Sequence, residues 1–132
     1  MTAFTRKIFA VLLVIGAGIT VSADQQRSPL GRVMREKLQH AQAILGAVTT
    51  SDWATLDRES RALALVSRDP AWVTALTDPA YLKQSDAFAD AVQKLMMASS
   101  KRDLEAAGAA DVVLTQSCVG CHLQMSRKRI AR

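Results

Sequence analysis

The sequence predicts an all-α protein, an antiparallel four-helix bundle, and three observations lead to that fold class. The chain has 132 residues, which is the length of one domain. Its apolar residues recur at spacings of three and four, and no stretch alternates apolar and polar residues as a strand would. Prolines, serines and threonines divide these periodic stretches into four helices with short connections, which is typical of a bundle.

The first 23 residues have the pattern of a secretory signal. A short basic start precedes an uncharged apolar run at positions 8–21, and the small residues Ser22 and Ala23 suit a signal peptidase. We expect cleavage after Ala23, which leaves residues 24–132 as the folded domain and places the protein in the periplasm. A retained membrane anchor is the alternative, but the run is shorter than the ~20 apolar residues that a bilayer span needs.

The first two helices follow from caps and periodicity. Ser28-Pro29 suits the start of the first, because proline is tolerated in a first helical turn. Its predicted apolar stripe comprises Leu30, Val33, Met34, Lys37, Leu38, Ala41, Ile44, Leu45 and Val48. The residues at 49–51 interrupt this helix and can cap the next, which we expect over about 52–67.

The rest of the chain predicts a punctuated connection and two more helices. Asp69-Pro70 and Asp78-Pro79 bound a linker that holds one short turn around Trp72 and Leu76. The third helix is expected over about 85–98. Ser100 and Asp103 resemble a capping box that opens the fourth helix, which runs on into Cys118.

One motif in the last helix carries specific chemistry. The run Cys118-Val119-Gly120-Cys121-His122 is C-x-x-C-H, the attachment signature of c-type haem. Two cysteines three residues apart lie on the same side of a helix, so their thiols can add to the two vinyl groups of one porphyrin. The next residue then directs an imidazole toward the iron, for which histidine is the usual proximal ligand. The motif predicts one covalently attached haem c.

Other uses of these cysteines are less well supported by the sequence. A thioredoxin-like redox pair belongs near a βαβ pattern, and no strand is predicted here. A disulfide between Cys118 and Cys121 would close a very small loop and add little stability. A zinc site would need a fourth ligand, for which His40 is the one other histidine or cysteine in the chain.

With a signal peptide, four predicted helices and C-x-x-C-H in the last helix, the chain resembles the class II cytochromes c, the cytochrome c′ type. The resemblance covers residues 24–132, although C-x-x-C-H is its one specific motif. Members of this family often continue with an aromatic residue and then arginine after the motif, whereas this chain has Met125 and then Ser126 and Arg127. The resemblance implies electron transfer or gas binding, and it implies homodimers formed through the first two helices.

The group on the other face of the iron decides between these functions. The family places this residue on the first helix, and electron-transferring members have methionine there. Met34 on the apolar stripe is therefore the expected distal ligand, and the alternative is that it only packs in the core. An apolar side chain at that position would instead leave an open iron that binds nitric oxide or carbon monoxide.

The remaining candidates receive other roles. Met96 is expected as a pocket wall, Met97 faces away, and Met125 lies one turn after His122 on the proximal side. His40 is expected on the solvated surface, because it lies about 240° around the helix from Met34. Three aromatic residues are expected in the core: Trp53, Trp72 and Phe88. Trp72 and Tyr81 are also candidates to cover a haem edge.

We therefore expect a periplasmic electron carrier whose iron is held by His122 and Met34, with a gas-binding cytochrome c′ as the alternative. An enzyme such as a peroxidase has little support, because no acid–base side chain is evident near Met34.

Loss of Arg6 and Lys7 with the signal lowers the net charge from +5 to +3, which does not point to nucleic acid. The expected partner is a redox protein, which the basic cluster at 127–132 could dock; that cluster could equally be a solvated tail or pair with a haem propionate.

Overall fold

The computed structural model describes residues 28–75 and 79–130, and every regular element in these two ranges is an α-helix. Five helices follow each other along the chain: α1 (Pro29–Thr50), α2 (Trp53–Val66), α3 (Pro70–Ala75), α4 (Pro79–Lys101) and α5 (Leu104–Ile130). No strand occurs within these ranges, so the all-α fold class is confirmed. None of the five helices combines the length and apolar character that a membrane crossing requires. The predicted signal, residues 1–23, lies outside the described residues.

The start of α1 and the extent of α2 agree with the predictions, but the expected cap of α2 within 49–51 is wrong, because the Thr49 and Thr50 hydroxyls donate to carbonyls of α1. The Ser28 hydroxyl accepts a hydrogen bond of 3.0 Å from the Gly31 backbone N–H, so it caps the first turn as expected. At the other end Ser51 has a φ of 56°, in the left-handed region, and this ends α1. The Asp52 carboxylate then accepts from the Thr55 N–H at 3.1 Å and caps α2. A single two-residue connection thus turns the chain sharply.

The later helix boundaries differ from the predictions. Helix α4 begins at Pro79, six residues before the expected start, because proline suits the first helical position and does not have to lie in the linker. The predicted capping box at Ser100 is wrong. Arg102 has a φ of 53° and ends α4, the Asp103 carboxylate accepts from the Ala106 N–H at 3.0 Å, and the Ser100 hydroxyl donates to the Met97 carbonyl.

One contiguous apolar core joins α1, α2, α4 and α5. Helices α4 and α5 make the most extensive contact, followed by the pairs α1–α2 and α2–α4, whereas α1 and α5 touch over a much smaller area. Small residues let α4 and α5 approach closely. The buried core consists of Ile44, Ala47, Val48, Leu56, Leu63, Phe88, Ala91, Val92, Leu95, Ala98, Ala107, Ala110 and Leu114.

The apolar stripe of α1 is buried only along one edge. Val33, Ile44 and Val48 are buried as expected, but Leu38 and Leu45 are 57% and 53% exposed. The two leucines share a helix face that lies beside, not against, the neighbouring helices described here. A spacing of three and four therefore identified the helix correctly but made its buried stripe too wide.

Candidate cofactor site

A cavity of about 390 Å³ is lined by α1 and α5, which contact each other over a small area, and α3 and α4 complete its walls. Its walls are mainly apolar, with a few polar and sulfur-bearing side chains among them. The lining residues are Leu30, Met34, Arg35, Lys37, Leu38 and Ala41 from α1; Trp72 and Ala75 from α3; Tyr81, Gln84, Ser85 and Phe88 from α4; and Ser117, Cys118, Cys121, His122 and Met125 from α5. A volume of this size falls within the ~300–1,000 Å³ of pockets that hold cofactors.

Helix α5 brings both cysteines and the histidine of the motif to this cavity. Residues three and four positions apart share a side of an α-helix, which is the relation of Cys118 to Cys121 and to His122. Both cysteines are free thiols and half-buried, and His122 is more exposed than either. Within the described residues no three histidine, cysteine or acidic side chains form a metal-binding group, so these three do not converge on one point.

Of the methionines at 34–125, two line the cavity, one is exposed and one packs against the core. Met34 is half-buried on α1 and lines the same cavity as His122, although the two are far apart in the sequence. Met97 is 48% exposed, and Met125 lines the cavity one turn beyond His122. The expectation that Met96 forms a pocket wall is wrong, because its side chain packs against the apolar core away from the cavity.

Aromatic side chains from α3 and α4 form one wall. Trp72 and Phe88 are buried, and their ring centroids lie 6.4 Å apart with the planes tilted by 52°. Tyr81 lines the cavity as well. Trp53 is half-buried against the core and does not reach the cavity. Two of the three aromatic residues expected in the core thus border a space large enough for a ligand.

Lys37 is the lining residue whose importance the sequence did not reveal. Its side chain is 7% exposed, and Nζ lies 3.5 Å from the centroid of the Trp72 ring and 3.6 Å from that of Phe88. Burial lowers the pKa of Lys37 from 10.5 to about 8, while the thiols of Cys118 and Cys121 act in the opposite direction. The signal was a lysine in the apolar stripe, one turn after Met34, where a charged residue is not expected.

The Cys121 thiol lies in the same apolar surroundings as Lys37. Burial raises the pKa of the Cys121 thiol, and the positive charge of Lys37 offsets part of that rise. A raised pKa keeps this thiol protonated at neutral pH. The cavity therefore stabilises a neutral sulfur at Cys121, and a thioether at the same position would have no charge to desolvate.

Gly120 and Gln84 are in close contact beside the two thiols. A Cβ added at Gly120 would lie 2.7 Å from the Gln84 Cδ, so the space that a side chain would need is taken by this amide. Glycine at position 120 therefore allows close approach of α4. Gln84 also lines the cavity, so any residue larger than glycine would push the amide from its place.

His40 does not lie free on the surface, which corrects the sequence interpretation. It is turned away from the cavity as expected, but it faces α2, where its Nδ1 lies 2.7 Å from the Glu59 Oε2. The interaction lowers the pKa of Glu59, with a smaller contribution from Arg58. A helical angle gave the direction of His40 but not the identity of the neighbouring helix.

Comparisons with family models, with curated protein sequences and with solved structures find no match to this chain. Its function is therefore inferred from its own residues and their geometry. In chemical terms the cavity presents two thiols that can form covalent bonds, an imidazole beside them and a thioether on another helix. Apolar and aromatic walls surround these groups, with one buried ammonium among them.

Proposed function

We propose that this chain is a periplasmic c-type cytochrome that transfers electrons through one haem. Cys118 and Cys121 attach the haem covalently, His122 is the proximal ligand of the iron, and Met34 is the distal ligand. The proposal includes removal of residues 1–23 on export and a redox protein as partner. It also includes an antiparallel four-helix bundle of the cytochrome c′ type, formed by α1, α2, α4 and α5.

The observation that carries the proposal is that one cavity is lined by all four of these residues. C-x-x-C-H is the attachment signature of haem c, and it contributes two thiols and an imidazole from α5. Met34 comes from α1, the helix on which the resemblance to the cytochrome c′ type places the distal residue. A thioether and an imidazole on different helices are the ligand pair of a six-coordinate electron-transfer haem.

The chemistry of the cavity fits this cofactor. A porphyrin is a large flat apolar group with two carboxylates, and the cavity combines apolar walls, the rings of Trp72 and Phe88, and the cationic side chain of Arg35. Free thiols at Cys118 and Cys121 are what thioether formation requires. The cavity therefore suits a haem in its potential ligand atoms and in its apolar walls. A haem would also supply apolar bulk to a domain with few aromatic residues, which explains the space between its helices.

When bound, the haem supplies an iron that accepts and releases one electron. The residues of the chain bind, orient and shield it. Cys118 and Cys121 fix its edge to α5, and His122 is held beside them by the helix. Met34, within a mostly apolar wall of α1, favours the ferrous state because thioether ligation stabilises ferrous over ferric iron. The aromatic wall excludes water, which strengthens the electrostatic interactions inside the cavity.

A gas-binding cytochrome c′ is the second candidate, and the surroundings of Met34 favour it. Leu30, Leu38 and Ala41 line the cavity on the same helix as Met34, so much of the distal wall is apolar, although Arg35 and Lys37 also contribute to it. If the Met34 sulfur does not bind the iron, this wall leaves an open position that suits carbon monoxide or nitric oxide. Met34 would then be a packing residue.

The proposed homodimer is supported by exposed leucines on the first two helices. Leu45 of α1 and Leu65 of α2 are each more than half exposed and neither lines the cavity, with Leu65 at 64%. Sedimentation of the haem-loaded protein should give twice the monomer mass. A monomer at high protein concentration would remove the homodimer from the proposal and leave the haem site unaffected.

Visible spectroscopy of the full chain, exported by a host that attaches haem c, tests the function directly. A six-coordinate electron carrier should be low-spin in both oxidation states, should titrate reversibly with one electron and should not bind carbon monoxide. A high-spin spectrum with carbon monoxide binding would select the second candidate. A protein without haem would contradict both.

A further inference from the structure

The cavity contains a positive charge that neither attachment nor ligation of a haem requires. The Lys37 ammonium lies within 3.6 Å of two aromatic ring centroids, and its side chain is almost completely buried. Lysine is rarely buried unless it is paired. Among the ion pairs of the described residues none includes Lys37, and no carboxylate contributes to its pKa. The rings of Trp72 and Phe88 are what hold the charge in place.

The position of Lys37 relates it to the proposed cofactor. It lies one turn after Met34 on α1, and the thiols of Cys118 and Cys121 are close enough to affect its protonation. The ammonium lies over the faces of the Trp72 and Phe88 rings, which stabilise its charged form and hold it in the wall of the cavity.

We propose that the buried ammonium of Lys37 is a fixed positive charge beside the haem that favours the ferrous over the ferric state and so raises the reduction potential. The inference rests on the proposed function, because it needs a haem in this cavity. Ferric iron takes one electron from the redox partner, and its charge falls by one. A nearby positive charge is repelled less by the reduced iron, so the reduced protein is stabilised relative to the oxidised one.

Burial makes Lys37 different from the other cations near the cavity. Salt screens exposed charges over a Debye length of ~10 Å or less, but it screens buried charges much less. Arg35 is exposed, and Arg32 is half-exposed and already neutralised by Asp69 and Glu36 at 2.7 and 2.9 Å. Added salt should therefore weaken the electrostatic effect of Lys37 less than that of Arg35 or Arg32.

The experiment measures the midpoint potential of the haem-loaded full chain at low and high ionic strength. Lys37→Leu and Lys37→Gln both remove the charge, and they differ in size and polarity so that a folding defect in one does not decide the result. Lys37→Arg keeps the charge and can also stack on aromatic rings. Lys101→Leu is the control, because Lys101 is exposed at the far end of α4, ~20 Å along the helix from Phe88.

Both neutral variants should have a lower potential than the wild type, by the same amount at both ionic strengths, with an unchanged low-spin spectrum. Lys37→Arg should restore most of the potential, and Lys101→Leu should shift it little and only at low salt. An unchanged potential in both neutral variants, with haem attached, would overturn the role of Lys37 alone. A loss of the low-spin spectrum in these variants would overturn it too, because Lys37 would then be an iron ligand. A chain without haem overturns this inference and the proposed function together.

Discussion

The two ends of the helices are packed by different means. At the core end, the second half of α1, the later turns of α4 and the first half of α5 contribute small and aliphatic side chains that are almost completely buried, and α2 joins them. At the cavity end, the first half of α1, the start of α4 and the motif-bearing part of α5 surround about 390 Å³ together with α3. The core end is filled by the chain itself, whereas the cavity end is not.

The difference shows which parts of the molecule depend on a ligand. Side chains such as Ile44, Leu95 and Leu114 touch each other and need nothing more to stay buried. Side chains such as Trp72, Lys37 and Cys121 border a space, and each has an apolar or aromatic surface whose packing a haem would complete. Stability is therefore expected to come mainly from one end and function from the other.

The largest expected effect is that of removing the haem. A chain prevented from acquiring haem should keep its helices at the core end but lose fixed packing at the cavity end, as in a partly ordered compact state. Amide hydrogen exchange should show protection at 91–98 and 107–114 in both forms. Amides at 79–87 and 117–127 should exchange ~100-fold faster or more without haem. Equal protection of both ends in the haem-free chain would contradict the expectation that only the cavity end depends on haem for its packing.

Replacing Met34 should change the haem without unfolding the protein. Met34→Ala removes the distal thioether, so the haem should become high-spin, its reduction potential should fall and carbon monoxide should bind. Met96→Ala is the matched control from the core end and should leave the spin state unchanged, costing at most the ~2–5 kcal/mol of a buried truncation. If Met96→Ala alters the spectrum and Met34→Ala does not, the distal ligand has been assigned to the wrong helix.

A truncation at the core end should have the opposite pattern. Leu95 is completely buried, so Leu95→Ala should lower the free energy of unfolding by ~2–5 kcal/mol and leave the haem spectrum intact. Leu104 is 49% exposed at the start of α5, and Leu104→Ala should change that free energy by ~0.5 kcal/mol or less. Urea denaturation of the haem-loaded proteins measures both. Similar losses for the two leucines would contradict the location of the core.

The smallest effect is expected at the contact of His40 with Glu59, which joins α1 to α2. Hydrogen bonding lowers the pKa of Glu59 in the folded state, so its contribution is present above the unfolded pKa of about 4.5 and is lost as pH falls below that value. Glu59→Gln should cost about 1 kcal/mol at neutral pH, and the difference from the wild type should shrink in acid. Glu36→Gln, in an exposed pair with Arg32, is the control and should cost less. A difference that does not shrink from neutral pH into acid would exclude the ionised Glu59 carboxylate as its cause.

Local sequence signals were sufficient for much of the fold. Serine and proline marked the start of α1 correctly, because a cap depends on a few adjacent residues. The polar stretch at 49–51 marked the end of α1 but not the cap of α2, which is Asp52. The start of α4 was missed because Pro79 is compatible with both a linker and a first helical turn. The cap of α5 was missed because the left-handed conformation of Arg102 shifts the helix start to Leu104, and nothing in its residue type indicates that conformation.

A motif and a family resemblance predicted four site residues. Cys118, Cys121 and His122 follow from the motif, and Met34 follows from the resemblance, which places the distal residue on the first helix. All four line the cavity, and their roles toward a haem stay predictions. Lys37 and Glu59 could not be assigned in the same way. Periodicity gives the face of a residue on its own helix, whereas the partner across the gap depends on how the helices pack.

Covalent attachment of haem is the central claim, and intact mass spectrometry of the exported protein tests it most directly. The mass should equal that of the chain from about Asp24 plus one haem, and the haem should remain after acid–acetone extraction and denaturing electrophoresis. Replacing Cys118 and Cys121 with serine together should give the mass of the chain alone. A wild-type mass without haem, or haem that extracts freely from it, would contradict the account.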